Sequence, residues 1–506
     1  MQKLILFAFI LLSTSFTAHS QSFTWGYPFG ISDENEKSIS HVVEDKLYKI
    51  STHYDMNIFN HKIIADVFSL NGLEKEQSLD LSVEQPPMSL ASLTFNSLFQ
   101  KEGTDFIFFY TEYDRKTKRN NLFYRNVNIG SGEMGDLSLL TSIDANGASN
   151  SGEYLISQSA DKSRFSILKQ LPFEKKANEK IELLLIDESL NILKQRNHDF
   201  GVEDNRRKQH SIYVSNTGQV YLVKKIEEKK EKPYLNLYRW DPNNEDFITT
   251  SLKQADDYQL HQFKVVFNDS DFYFLGVLTH EKSSNFGLKI DFNGRHSGVS
   301  GSGLLAVRFS GEGKMVYNTR NDFPQIISNL NLNNILFEEE HIWIVYDRSY
   351  VEKKSNSSNL GQGEISYDYT YLNNGFFVNQ INATNGEVAW VMKIDTNEPN
   401  TKNDNGDYLS ALSYIKNSNL VLLYNETRDI NKGIVHNVLN RRFPIKETIS
   451  TSGEIVSREA LLSAGVGVSK EERFELNPGF LIPVSSDTFI IRARSHAEYK
   501  YGYLKI

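Results

Sequence analysis

A polar turn followed by a strand-like run decides the fold, and residues 159–168, which read SADKSRFSIL, contain both parts. Ser159 to Lys162 include the small and polar side chains that favour a tight turn. Phe165 to Leu168 supply aromatic and aliphatic side chains, which favour a β-strand. The stretch therefore predicts the turn and the second strand of a β-hairpin.

The same pattern recurs eight times, about every 63 residues. A second hairpin often follows the first, as where Leu184–Asp187 turns through Glu188 and Ser189. Two hairpins make four strands, the unit of a β-propeller blade. The pattern predicts an all-β propeller, with eight four-stranded blades as the best count and seven as the alternative. The eight first turns are marked by Asp45, Gly103, Asp161, Thr217, Asp269, Glu339, Asn417 and Ser486.

The main alternative is a series of β-sandwich domains. Such a series would need linkers, and no Pro-rich or Ser-rich break stands where one would be expected. Convincing amphipathic helices are absent, and residues 457–464 are the best short candidate. We therefore expect residues 21–506 to form a single propeller domain.

The two ends of the chain predict how the ring closes. After the eighth marker, the chain runs through one more strand, Tyr501 to Ile506, so the last repeat lacks an outer strand. Ser22 to Trp25 have strand composition and precede every repeat. Pairing between these two segments would cover an edge that is otherwise free to pair with another chain. We expect the segment near Trp25 to lie beside Tyr501 to Ile506.

The first 20 residues have the pattern of a secretory signal peptide. Lys3 precedes nine apolar residues, Leu4 to Leu12, and Ala18-His19-Ser20 offers small residues where a signal peptidase cleaves. Nine apolar residues are too few to span the ~30 Å of a bilayer's hydrocarbon core. We expect cleavage before Gln21 and a mature chain that does not span a membrane.

Composition narrows the class of protein. The chain of 506 residues has no cysteine, which excludes disulfides, thiolate metal sites and a bacterial lipoprotein anchor. An exported chain of this size without disulfides is more typical of bacteria, in the periplasm or outside the cell. The net charge of -9 disfavours binding to nucleic acid. The 32 Phe, 25 Tyr and 4 Trp residues disfavour intrinsic disorder.

Familiar catalytic and metal-binding motifs fail when they are tested. Residues 298–302 approach G-x-S-x-G but end in Ser302, and His280-Glu281 lacks the second histidine of H-E-x-x-H. Residues 301–306 mimic a dinucleotide fingerprint, but they lead into a strand-like run instead of a helix. Asn403 to Asp407 resemble part of a calcium loop without its first and last ligands, which excludes an EF-hand and leaves an irregular calcium site as an alternative. The sequence assigns no catalytic, cofactor-binding or metal-binding residue and implies no cofactor.

Three long loops account for the longer spacing of the later repeats. They are residues 283–302, 352–368 and 396–407. Loops on a rigid scaffold often carry binding function, so repeats five to seven are the candidate functional face. Tolerated insertion is the alternative for each loop. The nearly charge-balanced run Lys224 to Lys232 is interpreted as a solvated hairpin loop.

One segment carries a family resemblance. Asn382-Ala383-Thr384-Asn385-Gly386-Glu387-Val388-Ala389-Trp390 resembles the blade motif of pyrroloquinoline-quinone-type propellers, in which a Trp follows a Gly by four residues. Gly313 and Tyr317 repeat that spacing. The resemblance implies an eight-bladed geometry and a Trp packed between neighbouring blades, without the quinone. The same superfamily includes scaffold propellers that assist outer-membrane protein assembly. The chain also resembles exported propellers of Bacteroidetes-type bacteria.

These features favour an exported, non-enzymatic propeller that binds a protein or a glycan of the bacterial envelope. It would be accessory to an outer-membrane secretion, assembly or uptake machine. The rival is a hydrolase or lyase acting on polysaccharide, with carboxylates at the propeller channel. The sequence nominates no residue for that chemistry and leaves the oligomeric state open.

Overall fold

The fold was analysed in a computed structural model of the 506-residue chain. Nearly all of the described residues lie in antiparallel β-strands or in the turns between them. The structure describes residues 22–25, 37–55, 60–83, 93–227, 232–244, 247–254, 258–280, 298–356, 366–396, 401–402, 409–426, 428–429, 434–435, 443–461, 475–485, 487–495 and 498–505.

The first half of the chain forms four consecutive sheets, here called units 1 to 4. Each is a meander in which sequential strands pair antiparallel. Unit 1 contains β2 (Lys37–Val43), β3 (Lys46–Asp55), β4 (Asn60–Ser69) and β5 (Lys75–Asp80). Unit 2 contains β6 (Thr94–Glu102), β7 (Asp105–Asp114), β8 (Arg119–Asn128), β9 (Glu133–Met134) and β10 (Ser138–Asp144). Unit 3 contains β11 (Glu153–Gln158), β12 (Arg164–Gln170), β13 (Asn178–Asp187) and β14 (Ile192–Glu203). Unit 4 contains β15 (His210–Val214), β16 (Val220–Ile226), β17 (Tyr234–Trp240) and β18 (Phe247–Ser251).

Units 5 and 6 share one long strand. The first part of β22 pairs with β21, and its last part, from Leu330 to Glu338, pairs with β23. One continuous sheet therefore contains two sets of four strands, and the count of eight separate blades stays a prediction. Its strands are β19 (Tyr258–Asn268), β20 (Asp271–His280), β21 (Val299–Phe309), β22 (Met315–Glu338), β23 (His341–Asn356), β24 (Ser366–Asn382), β25 (Val388–Asp395) and β26 (Thr401–Lys402).

The last two units complete the ring. Unit 7 contains β27 (Leu412–Lys416), β28 (Asn419–Glu426), β31 (Phe443–Ile449) and β32 (Ile455–Ala460), with a two-stranded ribbon of β29 (Arg428–Asp429) and β30 (Ile434–Val435) between β28 and β31 in the chain. Unit 8 contains β33 (Glu475–Pro483), β34 (Thr488–Ser495), β35 (Glu498–Lys505) and β1 (Ser22–Trp25).

The predicted ring closure is confirmed. β1 pairs antiparallel with β35, with Ser22 opposite Lys505 and Trp25 opposite Gly502. The N-terminal strand therefore supplies the fourth strand that unit 8 would otherwise lack. The hydroxyl of Tyr503 donates a 2.6 Å hydrogen bond to the carbonyl of Leu70 in unit 1, so the last unit also contacts the first.

Apolar packing joins each unit to the next. Among the described residues, each of the eight clusters of buried apolar side chains joins two consecutive units. In unit 2, Ile107 and Phe109 point toward unit 3, whereas Phe106 and Phe108 point toward unit 1. Successive side chains of a strand face opposite sides of its sheet, so one fully apolar strand serves two interfaces. This repeated face-to-face packing is the core of a β-propeller.

The strand order places the first strand of each unit at the centre of the ring. First strands of neighbouring units contact each other, as β11 does β15 and β22 does β27. Fourth strands such as β14 and β32 are largely exposed. The first strands therefore line the channel, and the fourth strands form the outer rim.

The predicted turns fall where the sequence pattern placed them. Seven of the eight markers lie between the first two paired strands of a unit, and Ser486, outside the described residues, stands between β33 and β34. Asp269 and Asn417 adopt positive φ values of 53° and 50°, which asparagine and aspartate tolerate better than most residues. The best short helix candidate, residues 457–464, is strand at its start, because Ile455–Ala460 is strand β32 and pairs with β31, and residues 462–464 lie outside the described residues.

The antiparallel meander gives the ring two distinct ends. Turns between first and second strands and between third and fourth strands lie at one end, here called the turn end. Connections between second and third strands and from each unit to the next lie at the opposite end, here called the loop end. No helix among the described residues is long and apolar enough to cross a membrane.

Candidate binding face at the loop end

The three long loops predicted from the repeat spacing all connect strands at the loop end. The predicted ranges 283–302, 352–368 and 396–407 fall at the connections from β20 to β21, from β23 to β24 and from β25 to β27. They are wrong at their ends, because residues 299–302 belong to β21 and residues 352–356 pair with β24 as part of β23. Residues 401–402 form strand β26. Most of these residues, including Asn403 to Asp407, lie outside the described residues. Their described roots therefore locate the predicted face.

Hydrogen bonds join the roots of these loops to one another. The amide of Gly298 donates to the carbonyl of Ser349 over 2.9 Å, which joins the first loop to the second. Arg348 donates to the carbonyl of Asn374 over 3.1 Å and pairs with Asp395 over 2.6 Å, which joins the second loop to the third. These contacts hold the three loop roots on one rigid base.

An amide ladder on the channel wall extends this base across three units. Gln262 of β19 donates to Asn331 of β22 over 2.8 Å. Asn333 of β22 in turn donates to Ser410 over 2.8 Å, and Ser410 donates to Asp347 over 2.7 Å. Because each first strand is bonded to the next, the channel wall under the candidate face spans units 5 to 7.

A lysine contributes to the same network. The Lys264 ammonium donates a hydrogen bond to the carbonyl of Asn333. Burial lowers the pKa of Lys264, and the nearby Asp347 carboxylate opposes that shift. The described part of this wall therefore combines amides, hydroxyls, one ammonium and one carboxylate.

A second polar feature of the loop end is a buried charge cluster between units 3 and 4. The Glu179 carboxylate accepts a hydrogen bond from Nζ of Lys224 over 2.6 Å, and Nε2 of His210 lies 2.8 Å from its other oxygen. All three side chains are at most 3% exposed. The Lys224 ammonium also lies 4.7 Å from the centre of the Phe200 ring. One carboxylate thus binds two basic side chains of the neighbouring unit.

The burial of this cluster shifts the pKa of each member. Burial alone would raise the pKa of Glu179, but the hydrogen bond from His210 and the charge of Lys224 outweigh it and lower that pKa to about 2. Burial lowers the pKa of His210, with the Glu179 hydrogen bond opposing. Burial also lowers the pKa of Lys224, against the attraction of Glu179. Glu179 is therefore ionised at neutral pH and His210 is mainly neutral.

A second ion pair lies beside the cluster. Lys208 Nζ is 3.1 Å from the Asp204 carboxylate and donates to the carbonyl of Leu171 over 2.6 Å. The Asp204 carboxylate also accepts a hydrogen bond from the backbone amide of Glu174 over 2.9 Å. These bonds fix the connection between β14 and β15 against unit 3.

Two clefts lie beside these ion pairs. A cleft of about 730 Å³ runs between units 2 and 3. A smaller cleft of about 230 Å³ runs between units 3 and 4. Asp204 lines both clefts. The smaller cleft is lined by Glu179, Val202, Glu203, Asp204, Asn205, Arg207, Lys208, Gln209, Lys224, Lys225 and Glu227.

The prediction of a solvated loop over Lys224 to Lys232 is wrong at its start. Lys224 and Lys225 belong to strand β16, and Lys224 is 2% exposed. The acidic partner of Lys224 is 45 residues away in the sequence, so the local charge pattern gave no sign of it. The run between residues 228 and 231 lies outside the described residues.

The turn end contains the residues that carried the family resemblance. The Trp390 indole donates to the carbonyl of Thr451 in unit 7 over 2.9 Å. A Cβ atom at Gly453 would lie only 2.7 Å from this ring. One unit earlier, a Cβ atom at Gly386 would lie 2.6 Å from the ring of Tyr317. Trp390 therefore packs between neighbouring units, the position that the resemblance implied.

Among the described residues, neither the motifs rejected in the sequence nor the histidines come together in one site. Residues 301–306 lie in strand β21, as predicted, and not at the start of a helix. His280 ends β20, and Glu281 lies outside the described residues. Among the described residues, no group of three or more His, Asp or Glu side chains could hold a metal ion.

Comparisons with known proteins give low similarity. No family model and no curated protein matches the chain. The WD40 domain of SCAP from fission yeast is 9% identical, with 96% of this chain and 98% of that chain covered and a TM-score of 0.37. The β-propeller domain of the trilobed protease from Pyrococcus furiosus is 7% identical, with 88% and 99% covered and a TM-score of 0.33. BamB from Moraxella catarrhalis is 9% identical, with 81% and 99% covered and a TM-score of 0.23. The propeller assignment therefore depends on the strand pairing and ring closure described above.

Proposed function

We propose that this chain is an exported, non-enzymatic binding or scaffold propeller whose partner is a protein or a glycan of the bacterial envelope. In this role it is accessory to an outer-membrane secretion, assembly or uptake machine. Export by a signal peptide over residues 1–20, and a location in the periplasm or outside the cell, belong to the same proposal.

The bonded loop roots of units 5 to 7 carry this proposal. The described roots of three long connections lie at one end of the ring and are joined through Gly298, Ser349, Arg348 and Asp395. A fixed base holds the roots of the loops in place and leaves the sequence of each loop free to vary. This arrangement suits recognition of a large partner, because loop contacts then need less ordering on binding.

The rival function is hydrolysis or cleavage of a polysaccharide by two carboxylates. One carboxylate pair does share a partner, since Arg458 Nη2 lies 2.7 Å from Glu426 and Arg458 Nε lies 3.7 Å from Glu447. Both carboxylates are at most 1% exposed, and they lie on the second and third strands of unit 7. A structural role fits them better than chemistry on a glycan in the channel.

The test is capture of envelope partners by the mature protein that begins at Gln21. In one variant, residues 357–365 are replaced by Asn-Gly, which shortens the connection between β23 and β24. The matched control is Ile455→Ser with Val456→Ser, two exposed positions on the outer strand of unit 7. We expect the wild type and the control to retain the same chemically cross-linked partner, and the shortened variant to lose it.

Two results would overturn the proposal. One is equal capture by all three proteins, which would remove the loop between β23 and β24 from the binding face. The other is recovery of no partner together with turnover of an envelope polysaccharide, which would favour the rival enzyme. Unfolding midpoints of the three proteins should agree, so that lost capture reports binding and not misfolding.

A further inference from the structure

The smaller cleft of the loop end has room for one small ligand. Its volume of about 230 Å³ is below the ~300–1,000 Å³ typical of pockets for drug-sized ligands. One end of β16 and the connection from β14 to β15 form its walls. A single sugar or a molecule of similar size would fit this space.

Three of the four basic side chains that line the cleft form ion pairs. Lys224 is bound to Glu179, Lys208 to Asp204, and Lys225 to Glu227 over 2.6 Å. Within the described part of the chain, Arg207 forms no ion pair, and its neighbour Arg206 lies 5.0 Å over the Phe173 ring. The cleft therefore offers one unpaired guanidinium among internally compensated charges.

The rest of the lining favours hydroxyl groups. Asn205 donates to Glu227 over 3.2 Å, and both side chains are exposed at the cleft. Glu203 adds a further carboxylate, and Gln209 an amide. Carboxylate and amide oxygens accept hydrogen bonds from sugar hydroxyls. Four carboxylates and four basic side chains balance each other in the lining, so the single guanidinium of Arg207 suits a singly charged ligand better than a multiply charged phosphate.

We infer that this cleft binds a carboxylated sugar, such as the uronic acid unit of an acidic glycan. The guanidinium of Arg207 pairs with the ligand's carboxylate, a geometry in which two parallel hydrogen bonds form. The Glu227 carboxylate accepts hydrogen bonds from its hydroxyls, and Asn205 holds the site in place by donating to Glu227 and accepting from the backbone amide of Arg207 over 3.1 Å. The buried pairs beneath, Glu179 with Lys224 and Asp204 with Lys208, hold the floor in place. The inference rests on the proposed binding role and names one class of glycan for it.

The test is calorimetric titration of the full mature protein at low ionic strength with D-glucuronate and D-galacturonate. Short oligomers of galacturonate test whether the site prefers a chain to a free sugar. Glucose is the neutral match, and glutamate tests a carboxylate that carries an ammonium in place of hydroxyls. The matched variants are Arg207→Ala and Arg206→Ala, two adjacent exposed arginines of which one lines the cleft.

We expect a uronate, free or in an oligomer, to bind more tightly than glucose or glutamate. Arg207→Ala should weaken that binding at least about tenfold, the loss expected for one charge-assisted contact. Arg206→Ala should leave it unchanged, and added salt should weaken the wild type.

Three results would overturn the inference: uronate binding no tighter than glucose binding, tighter binding of glutamate than of uronate, or equal losses in the two arginine variants. Capture of an envelope partner is measured separately. Failure of this site with retained capture would therefore refute the ligand class and leave the proposed function standing.

Discussion

At the turn end of the ring, the indole of Trp390 covers the glycine turn of the next unit, whereas at the loop end the Glu179 carboxylate is buried against Lys224 and His210. The first contact joins two short segments, and their residue types indicate a strand and a turn. The second joins a β13 residue to residues of β15 and β16 with no local signal. Contacts at the turn end thus follow from local sequence patterns. Contacts at the loop end depend on which side chains the ring brings together.

The largest expected effect lies at the loop end. Glu179→Gln removes the only carboxylate bound to Lys224 in the described residues and leaves that ammonium buried. Breaking a buried ion pair in this way costs about 3–5 kcal/mol of unfolding free energy. Urea unfolding followed by tryptophan fluorescence measures the loss.

The control for that variant is Glu312→Gln at the turn end. Glu312 pairs with Lys314 over 2.9 Å, and both side chains are more than three-quarters exposed. The unfolding midpoint of Glu312→Gln should match that of the wild type, because exposed ion pairs contribute little to stability. Equal losses in the two variants would remove the contrast between the two ends.

The next effect tests the packing of the turn end. Gly453→Ala forces a Cβ onto the Trp390 ring at a φ of 80°, and it should cost about 2–3 kcal/mol from backbone strain and overpacking. Gly201→Ala is the matched control, since Gly201 has a φ of 70° and open space around the added atom. Comparing the thermal unfolding of the two variants separates the stability lost by crowding the Trp390 ring from the stability lost by backbone strain. A Gly201→Ala loss as large as that of Gly453→Ala would contradict the role of Trp390.

The pH dependence of stability is a smaller effect and belongs to the loop end. The pKa of His210 is lowered in the folded state, so the unfolded chain binds a proton there more readily. Stability should therefore fall as the pH drops below about 6.5, by up to about 1.4 kcal/mol per pH unit for this residue. The lowered pKa values of His41, His198 and His261 act in the same direction.

His210→Gln isolates the contribution of that one histidine. Urea unfolding at a series of pH values between 7.5 and 5.5 should show a shallower slope for this variant than for the wild type. Glu179 adds a separate loss at lower pH, because its stabilising charge is lost as the pH falls from about 4.5 toward 2. An unchanged slope in His210→Gln would show that His210 does not take up a proton on unfolding.

The smallest effect is a single hydrogen bond at the turn end. The Thr319 hydroxyl donates to the carbonyl of Asn385 over 2.8 Å at an exposed position. Thr319→Val keeps the β-branched shape and should cost about 0.5–1 kcal/mol. Thr249→Val on the fourth strand of unit 4 is the control, with no expected change. A loss above the Gly453→Ala value would reverse the order of contributions proposed for this end.

Much of the fold could be predicted because turn and strand signals are local. Markers such as Asp269 and Asn417 combine small polar side chains with positive φ, and the apolar runs that follow them become second strands. Ring closure by Ser22–Trp25 could also be predicted, since the last repeat was one strand short. The best short helix candidate, residues 457–464, begins in a strand because pairing with β31 overrides a weak local preference.

The candidate site was only partly predictable. Long spacings located the connections of units 5 to 7, but part of each predicted loop is strand, and the binding role of this face stays a prediction. The prediction for the charge run at Lys224 was wrong at its start, since nothing near it in the sequence indicates that Glu179 of the preceding unit pairs with it. Nor did any motif mark Arg207 or the cleft that it lines. Contacts between distant residues follow from how the units stack, which a local pattern does not encode.

The sequence by itself determined the class of fold, the alternation of turns and strands, and the strand that closes the ring. These depend on turn chemistry and on side-chain period, which act over a few residues. Only the tertiary structure decided that β22 runs through two units, that three loop roots share one base, and that Glu179 lies between two basic side chains. These features arise where blades meet, because burial and charge pairing depend on neighbours that are far apart in the chain.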